Sequence, residues 1–173
     1  PGQRAIPAGY GPRQVSLRVL VLSVGSPKHP GMVESIRDYE VRAGRYFTLE
    51  SIEVQPGRTG SADPTRVKRD EAEALLRRLP ADLESFALTR NGRSIDTRGL
   101  ADRLERMATY GAAGAAFVIG GAYGLDDTVI EKCRNRLSLS DLTLPHELAR
   151  LVLAEQLYRA GTLLRGEPYH KGS

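Results

Sequence analysis

Apolar and polar positions alternate along this chain in two rhythms that take turns. Leu17 to Val24 is a continuous, largely β-branched apolar run that halts at Gly25-Ser26-Pro27, the pattern of a strand buried on both faces. Met32, Ile36, Tyr39 and Ala43 then recur at three- and four-residue spacing, which places them on one side of a helix. Thr48 to Val54 returns to a strand pattern, and Pro56-Gly57-Arg58-Thr59-Gly60-Ser61 marks a loop. Asp63-Pro64 supplies an N-cap followed by a first-turn proline, and Val67, Ala74, Leu75 and Leu79 carry the apolar side of the helix it opens. Ser85 to Thr89 reads as a third strand. Thr97, with Leu100, Leu104 and Met107 behind it, opens another helix, and Ala115 to Ile119 gives a fourth strand. Strands alternating with helices of this length predict an α/β fold, a mostly parallel sheet with helices on both faces.

The last helix, expected over roughly Pro145 to Leu164, has two apolar sides. Leu148, Leu151, Val152 and Tyr158 fall on one, while Leu153, Leu157, Ala160 and Leu164 fall nearly opposite. Two such faces need two partners: the sheet of the same chain, and either a second subunit across a two-fold axis or further elements of the same monomer. Arg159 intrudes on the first stripe and is expected to pair with Glu155, one turn earlier.

Composition narrows the picture. A chain of 173 residues suits one domain, taken as residues 17–173, preceded by a glycine- and proline-rich extension over 1–16 with little to pack. Hydrophobic residues at 40% and charged ones at 27% argue against wholesale disorder, and no apolar run approaches the length of a membrane span. With 25 basic and 21 acidic residues the net charge is +4, which favours a polyanionic partner without requiring one. A lone cysteine, Cys133, allows no internal disulfide and fits a reducing, cytoplasmic setting. Three histidines and one cysteine on separate elements make a poor metal site, so no metal is expected. Ten aromatics, seven tyrosines and three phenylalanines, are too few for a broad single-strand stacking platform.

Chemistry concentrates in the last third. The apolar run Ala115 to Ile119 breaks into Gly120-Gly121-Ala122-Tyr123-Gly124-Leu125, a place where a ligand can approach the backbone closely. Dinucleotide- and phosphate-binding loops sit at such a position, but the glycine spacing is wrong for the first and no Gly-Lys-Ser/Thr follows for the second. Cys133 has no histidine beside it in sequence and reads as a packed thiol on the following helix, and no Gly-x-Ser-x-Gly elbow occurs. Of the basic residues, Arg134, Arg136, Arg150 and Arg159 are candidates for phosphate contact. Arg66, Lys68 and Arg69 lie among Asp63, Asp70, Glu71 and Glu73 and read as a solvated, ion-paired face.

The Ile-Gly-Gly-x-x-Gly-Leu loop at 119–125, Ser-x-Leu-Thr-Leu-Pro-His at 140–146, Ala154-Glu155-Gln156-Leu157-Tyr158-Arg159-Ala160 and the terminal Pro168-Tyr169-His170-Lys171 occur in order with sensible gaps. Together they resemble the ribosomal RNA large subunit methyltransferase H family, the SPOUT-class pseudouridine N3-methyltransferases. The likeness is strong from about Phe86 onward, looser from Leu17 to Pro80, and absent from residues 1–16.

That resemblance implies a C-terminal deep trefoil knot, an exception to the rule of unknotted chains. It implies S-adenosylmethionine as cofactor, wrapped by Leu88-Thr89, Gly120-Gly121 and Ser140-Asp141-Leu142-Thr143-Leu144-Pro145, with Leu142 and Leu144 as apolar contacts. It also implies a homodimer acting on a pseudouridine of 23S ribosomal RNA in the large subunit or assembled ribosome. Methylating the ring N3 requires loss of an imide proton, so a base or an anion-stabilising site is needed. His146 and His170 are the candidates for the base, Tyr169 for stacking on or bonding to the uracil, and Lys171 for a phosphate or developing negative charge. His29 reads as a surface residue. The family commonly carries arginine where this chain has Lys171, and usually ends on an acidic residue rather than Gly172-Ser173. A catalytically idle ribosome- or RNA-binding factor with the same fold is the competing reading, and a nucleotide-dependent enzyme acting on small molecules a more distant one.

Overall fold

The structure is a computed structural model that describes residues 17–57 and 63–170, the side chain of His170 excepted. The extension expected over residues 1–16, the loop beyond Gly57 and Lys171 lie outside the described residues.

Five parallel strands form one sheet: β1 (Arg18–Val24), β2 (Thr48–Val54), β3 (Glu84–Ser94), β4 (Gly114–Ile119) and β5 (Asn135–Ser138), in the order β2-β1-β4-β3-β5. Among the described residues five α-helices connect and cover them: α1 (Pro30–Ala43), α2 (Pro64–Arg78), α3 (Thr97–Thr109), α4 (Asp127–Lys132) and α5 (His146–Arg165). The central strands explain the apolar runs. All six residues of β4 and all but the first of β1 are buried, because each has a neighbour on both edges and helices on both faces.

Side chains of these strands alternate between two cores. Val19 and Val21 of β1, with Ala115, Phe117 and Ile119 of β4, meet α3 and the inner side of α5 through Leu100, Leu104, Leu153, Leu157 and Ala160. Leu20, Leu22 and Val24, with Ala116 and Val118, meet Ala72 and Leu75 of α2 and Val129 of α4. Helices α1 and α3 pack along α5 on one face, and α2 packs with α4 on the other.

Two elements depart from the sequence reading. The third strand does not stop at Thr89: Leu88 and Arg93 both stand opposite Leu137, so residues 89–92 bulge out of the ladder before pairing resumes. The edge strand β5 was not anticipated, since Asn135-Arg136-Leu137-Ser138 is short and has only one apolar side chain. Asp63 caps α2 as expected, its carboxylate accepting from the Thr65 amide at 3.1 Å, with Pro64 in the first turn.

The two sides of α5 are treated differently. Leu153, Leu157 and Ala160 are fully buried, while Leu148, Leu151 and Val152 remain only half-covered within the chain. Arg159 pairs with Glu155 at 2.7 Å, as its spacing predicted.

Candidate functional site

The carboxyl ends of β3, β4 and β5 open into one cavity of about 620 Å³, the place where open parallel sheets receive ligands. Five pieces of chain wall it, one of them Ile130 of α4. Leu88, Thr89 and Arg90 come from the β3 bulge, and Gly120, Gly121 and Gly124 from the turn after β4. Ser138 ends β5, Leu139, Ser140 and Leu142 to Pro145 come from the segment after it, and His146 and Ala149 from the start of α5. Of the residues expected around a cofactor, Leu88, Thr89, Gly120, Gly121, Ser140, Leu142, Thr143, Leu144 and Pro145 line this space, and Asp141 is not among the lining residues.

The glycine turn is shaped by close approach. A Cβ on Gly120 would stand 2.6 Å from the Gly124 carbonyl carbon, and one on Gly121 would stand 2.8 Å from a Glu71 carboxylate oxygen. A hydrogen bond from the Gly124 amide to the Gly121 carbonyl, 3.0 Å, closes the turn. On the opposite wall the Leu142 amide donates to the Ser140 hydroxyl at 3.0 Å, and the Ser138 hydroxyl donates to the Ser140 carbonyl at 2.9 Å. That folding leaves Leu142 75% exposed, an apolar side chain uncovered among the described residues.

His146 is the first residue of α5, half-buried on the cavity wall. One turn on, Arg150 is buried and anchors that end of the helix. Its guanidinium donates to Glu40 at 3.0 Å and to Glu53, and lies 3.5 Å from the Ser23 hydroxyl. Arg150 is therefore a structural ion-pair centre rather than a phosphate ligand, and its two carboxylates hold the guanidinium more basic than usual against the opposing cost of burial. Arg159 is likewise occupied by Glu155. Arg134 and Arg136 are exposed.

Tyr169 stands apart from the cavity. Tyr169 packs on Tyr158 with ring centroids 4.5 Å apart, lies under the Arg159 guanidinium at 4.8 Å, and donates its hydroxyl to Glu155 at 3.3 Å. Hydrogen bonding with Tyr39, burial and the Glu155 charge push its phenol up to about 12. Tyr158 itself is about 18 Å along the α5 axis from His146 at the helical rise. Within one chain, then, His146 and Tyr169 occupy separate sites. The backbone of His170 closes a short 3₁₀ turn, Pro168–His170, and its side chain and Lys171 lie outside the described residues.

Cys133 is the packed thiol its sequence context predicts, whereas Glu71 departs from its own reading. Cys133 is buried at the end of α4, just beyond its last helical residue, and burial raises its thiol pKa, as befits a packed group. Glu71, taken from sequence as part of a solvated charged face, is 4% exposed. Its position four residues from both Val67 and Leu75 put it on the apolar stripe of α2, a signal the surrounding charges masked. Among the described residues no cluster of three or more His, Cys, Asp or Glu side chains is placed to hold a metal, and no helix is long and apolar enough to cross a membrane.

Comparison with known proteins places this geometry. Residues 17–170 match the profile of a family described as predicted SPOUT methyltransferases. The ribosomal RNA large subunit methyltransferase H of Gemmatimonas aurantiaca is 51% identical over 157 residues, spanning 90% of this chain and all of the relative. The protein of the same name from Listeria monocytogenes serotype 4a is 38% identical over 159 residues with the same coverage of this chain and of the relative. Among solved structures, a probable methyltransferase from Bordetella pertussis Tohama I shares the fold with a TM-score of 0.56 at 24% identity, over 85% of this chain and 98% of that one. The cavity at the strand ends, the glycine turn and the long C-terminal helix are thus those of a member of the SPOUT methyltransferase family, to which this chain belongs.

Proposed function

We propose that this protein is an S-adenosylmethionine-dependent methyltransferase that modifies N3 of a pseudouridine in 23S ribosomal RNA, acting in the cytoplasm as a homodimer on the large subunit or assembled ribosome. The observation that carries this reading is the cavity itself: a glycine-floored, apolar-rimmed space ending at a histidine, in a chain of this family. The relatives' names supply the RNA class.

The residues present fit such a cofactor. Gly120 and Gly121 leave bare backbone where a Cβ would collide, and the uncovered Leu142 supplies apolar contact for a flat heterocycle. S-adenosylmethionine, when bound, offers an electrophilic methyl on a sulfonium and leaves as a neutral thioether. The chain's own work is to orient the acceptor and remove its proton. N3 of the uracil ring attacks as the anion, so His146, on the cavity wall, or His170, from the tail, takes up the imide proton. Tyr169, neutral throughout the physiological range because its phenol is raised to about 12, acts by stacking or donating a hydrogen bond rather than as a base. Lys171 is suited to a phosphate or to the developing negative charge.

Tyr169 is remote from its own chain's His146, and Leu148, Leu151 and Val152 leave a half-covered apolar strip on the outer side of α5. A second copy packed on that strip covers the apolar surface and brings its tail toward the first copy's cavity. The trefoil knot belongs to the same proposal, with the segment 138–146 as the threaded part.

The test is direct. Titration with S-adenosylmethionine is expected to show saturable binding, and labelled methyl is expected to pass to ribosomes lacking the modification. Binding without transfer to ribosomes or their RNA identifies an idle binding factor instead. No binding at saturating concentration removes the proposal altogether.

A further inference from the structure

Behind the glycine wall lies a buried acid that the proposed reaction leaves unused. Glu71 points from α2 toward the turn after β4, and its two carboxylate oxygens stand 2.8 and 2.9 Å from where a Gly121 Cβ would be. Oε1 accepts the Gly57 amide at 3.0 Å. Oε2 is fully buried and, among the described residues, has no hydrogen-bond partner. A buried carboxylate with an unsatisfied oxygen costs stability, and a glutamine would keep the Gly57 bond without the charge. An acid at this position therefore requires a reason beyond holding the loop in place.

Glu71 is separated from the cavity by a single glycine, since Gly121 lines the cavity on one side and touches the carboxylate on the other. None of the residues lining the cavity is acidic, whereas Arg90 and His146 bring basic groups to it. Among the described residues the charges around Glu71 are few. His146 of α5 bears on it, while Lys68 and Arg69 of its own helix bear on Asp126, before α4. The rest of that face is the apolar cluster of β1, α2 and α4.

We propose that Glu71 is the specificity-determining countercharge of the cavity, favouring a cationic sulfonium ligand over the neutral thioether that methyl transfer leaves behind. The proposal rests on the cavity being the S-adenosylmethionine site. Donor and product differ by one methyl and one positive charge and share the adenosine, the carboxylate and the α-ammonium group. In a low-dielectric wall a carboxylate acts on that difference without touching the ligand, because little water screens it. Burial raises the Glu71 pKa, so the free protein retains the proton to higher pH, and a cation in the cavity drives it off.

The experiment measures the dissociation constants of S-adenosylmethionine and S-adenosylhomocysteine by calorimetry for the wild type, Glu71→Gln and His146→Ala. In the wild type the donor-to-product affinity ratio is expected to rise as pH increases from the ordinary carboxylate range, as Glu71 ionises. His146→Ala is expected to keep that rise, which separates the effect of Glu71 from that of the basic side chain on the cavity wall. Glu71→Gln is expected to lower the ratio roughly tenfold at neutral pH, a change that leaves product affinity nearly constant, and to flatten its pH dependence. In buffers of different ionisation enthalpy, the wild type is expected to release protons on binding donor and fewer on binding product.

Equal weakening of both ligands in Glu71→Gln would mean a purely structural role and overturns the proposal, as does an unchanged ratio. Should Glu71→Gln not fold, the wild-type proton release decides: equal release for the two ligands overturns the proposal. Wild-type protein that binds neither ligand refutes the cofactor reading itself, a result distinct from these.

Discussion

The two ends of α5 are built on opposite principles. At its amino end His146 and Ala149 face an open cavity whose other walls are glycine backbone and partly uncovered apolar side chains. At its carboxyl end Tyr39, Tyr46, Tyr158 and Tyr169 form a chain of aromatic contacts with centroids 4.5 to 6.1 Å apart, overlaid by Arg42, Arg159 and Arg165. One end stays open; the other satisfies itself. A helix anchored firmly at both ends positions the cavity wall without closing it, and Tyr169 at the far end lies remote from that wall.

The largest way to break this contrast is to remove the anchor beside the cavity. Arg150→Ala leaves Glu40 and Glu53 facing each other with no cation between them. The expected loss is about 3 to 5 kcal/mol, the range for orphaning a buried ion pair, read by chemical denaturation. The midpoint should fall with little change in slope if the rest of the fold is kept.

A smaller effect on stability and a larger one on chemistry is expected at the glycine turn. Gly120→Ala places a methyl 2.6 Å from backbone of Gly124, which cannot swing aside as a flexible side chain does. Cofactor affinity and methyl transfer should drop together, with transfer reduced roughly 100-fold by the displaced wall. A Gly120→Ala protein with wild-type rates would show that the turn does not shape the site.

Next come the two sides of α5. Leu157→Ala opens a hole in the core and should cost about 2 to 5 kcal/mol whatever the protein concentration. Leu151→Ala removes a half-covered side chain and should leave unimolecular stability nearly intact while weakening self-association, measured by sedimentation at several concentrations. Equal effects at the two positions would remove the distinction between an inner face and a contact face.

Much of this was legible in the sequence, for reasons that also explain the omissions. Strands β1 and β4 announce themselves because burial on both faces demands unbroken apolar runs. The cavity walls were legible as motifs, since bare glycine backbone and a Leu-x-Leu-Pro stretch leave a trace in one dimension. Strand β5 left none: an edge strand of Asn135-Arg136-Leu137-Ser138 needs only one buried side chain per face. Glu71 was hidden by its neighbours, for Asp70 and Glu73 are exposed while it turns inward among Val67, Ala72 and Leu75. Nor did spacing reveal that Arg150 is consumed by Glu40 and Glu53, which are more than ninety residues away along the chain.

The smallest expected effect sharpens the contrast at the aromatic end. Tyr169→Phe deletes a 3.3 Å hydrogen bond to Glu155 but keeps the ring on Tyr158, so at neutral pH the cost should be only about 0.5 kcal/mol. The pH dependence is more telling. In the folded protein the Tyr169 phenol is raised from the usual 10.0 to about 12, whereas in the unfolded chain it ionises near its usual value. Its contribution is therefore fully present below pH 10 and is lost as pH rises through about 12, because the unfolded state gives up the proton first. Tyr46, raised to about 12 chiefly by burial and then by its bond to Glu167, loses stability over the same window and remains in the variant. The difference between wild type and Tyr169→Phe in denaturant midpoint should accordingly be flat from pH 7 to 9 and then shrink or invert toward pH 12. A difference that stays constant to pH 12 would mean that the phenol is freely solvated, and the aromatic end of α5 would then be as open as the cavity end.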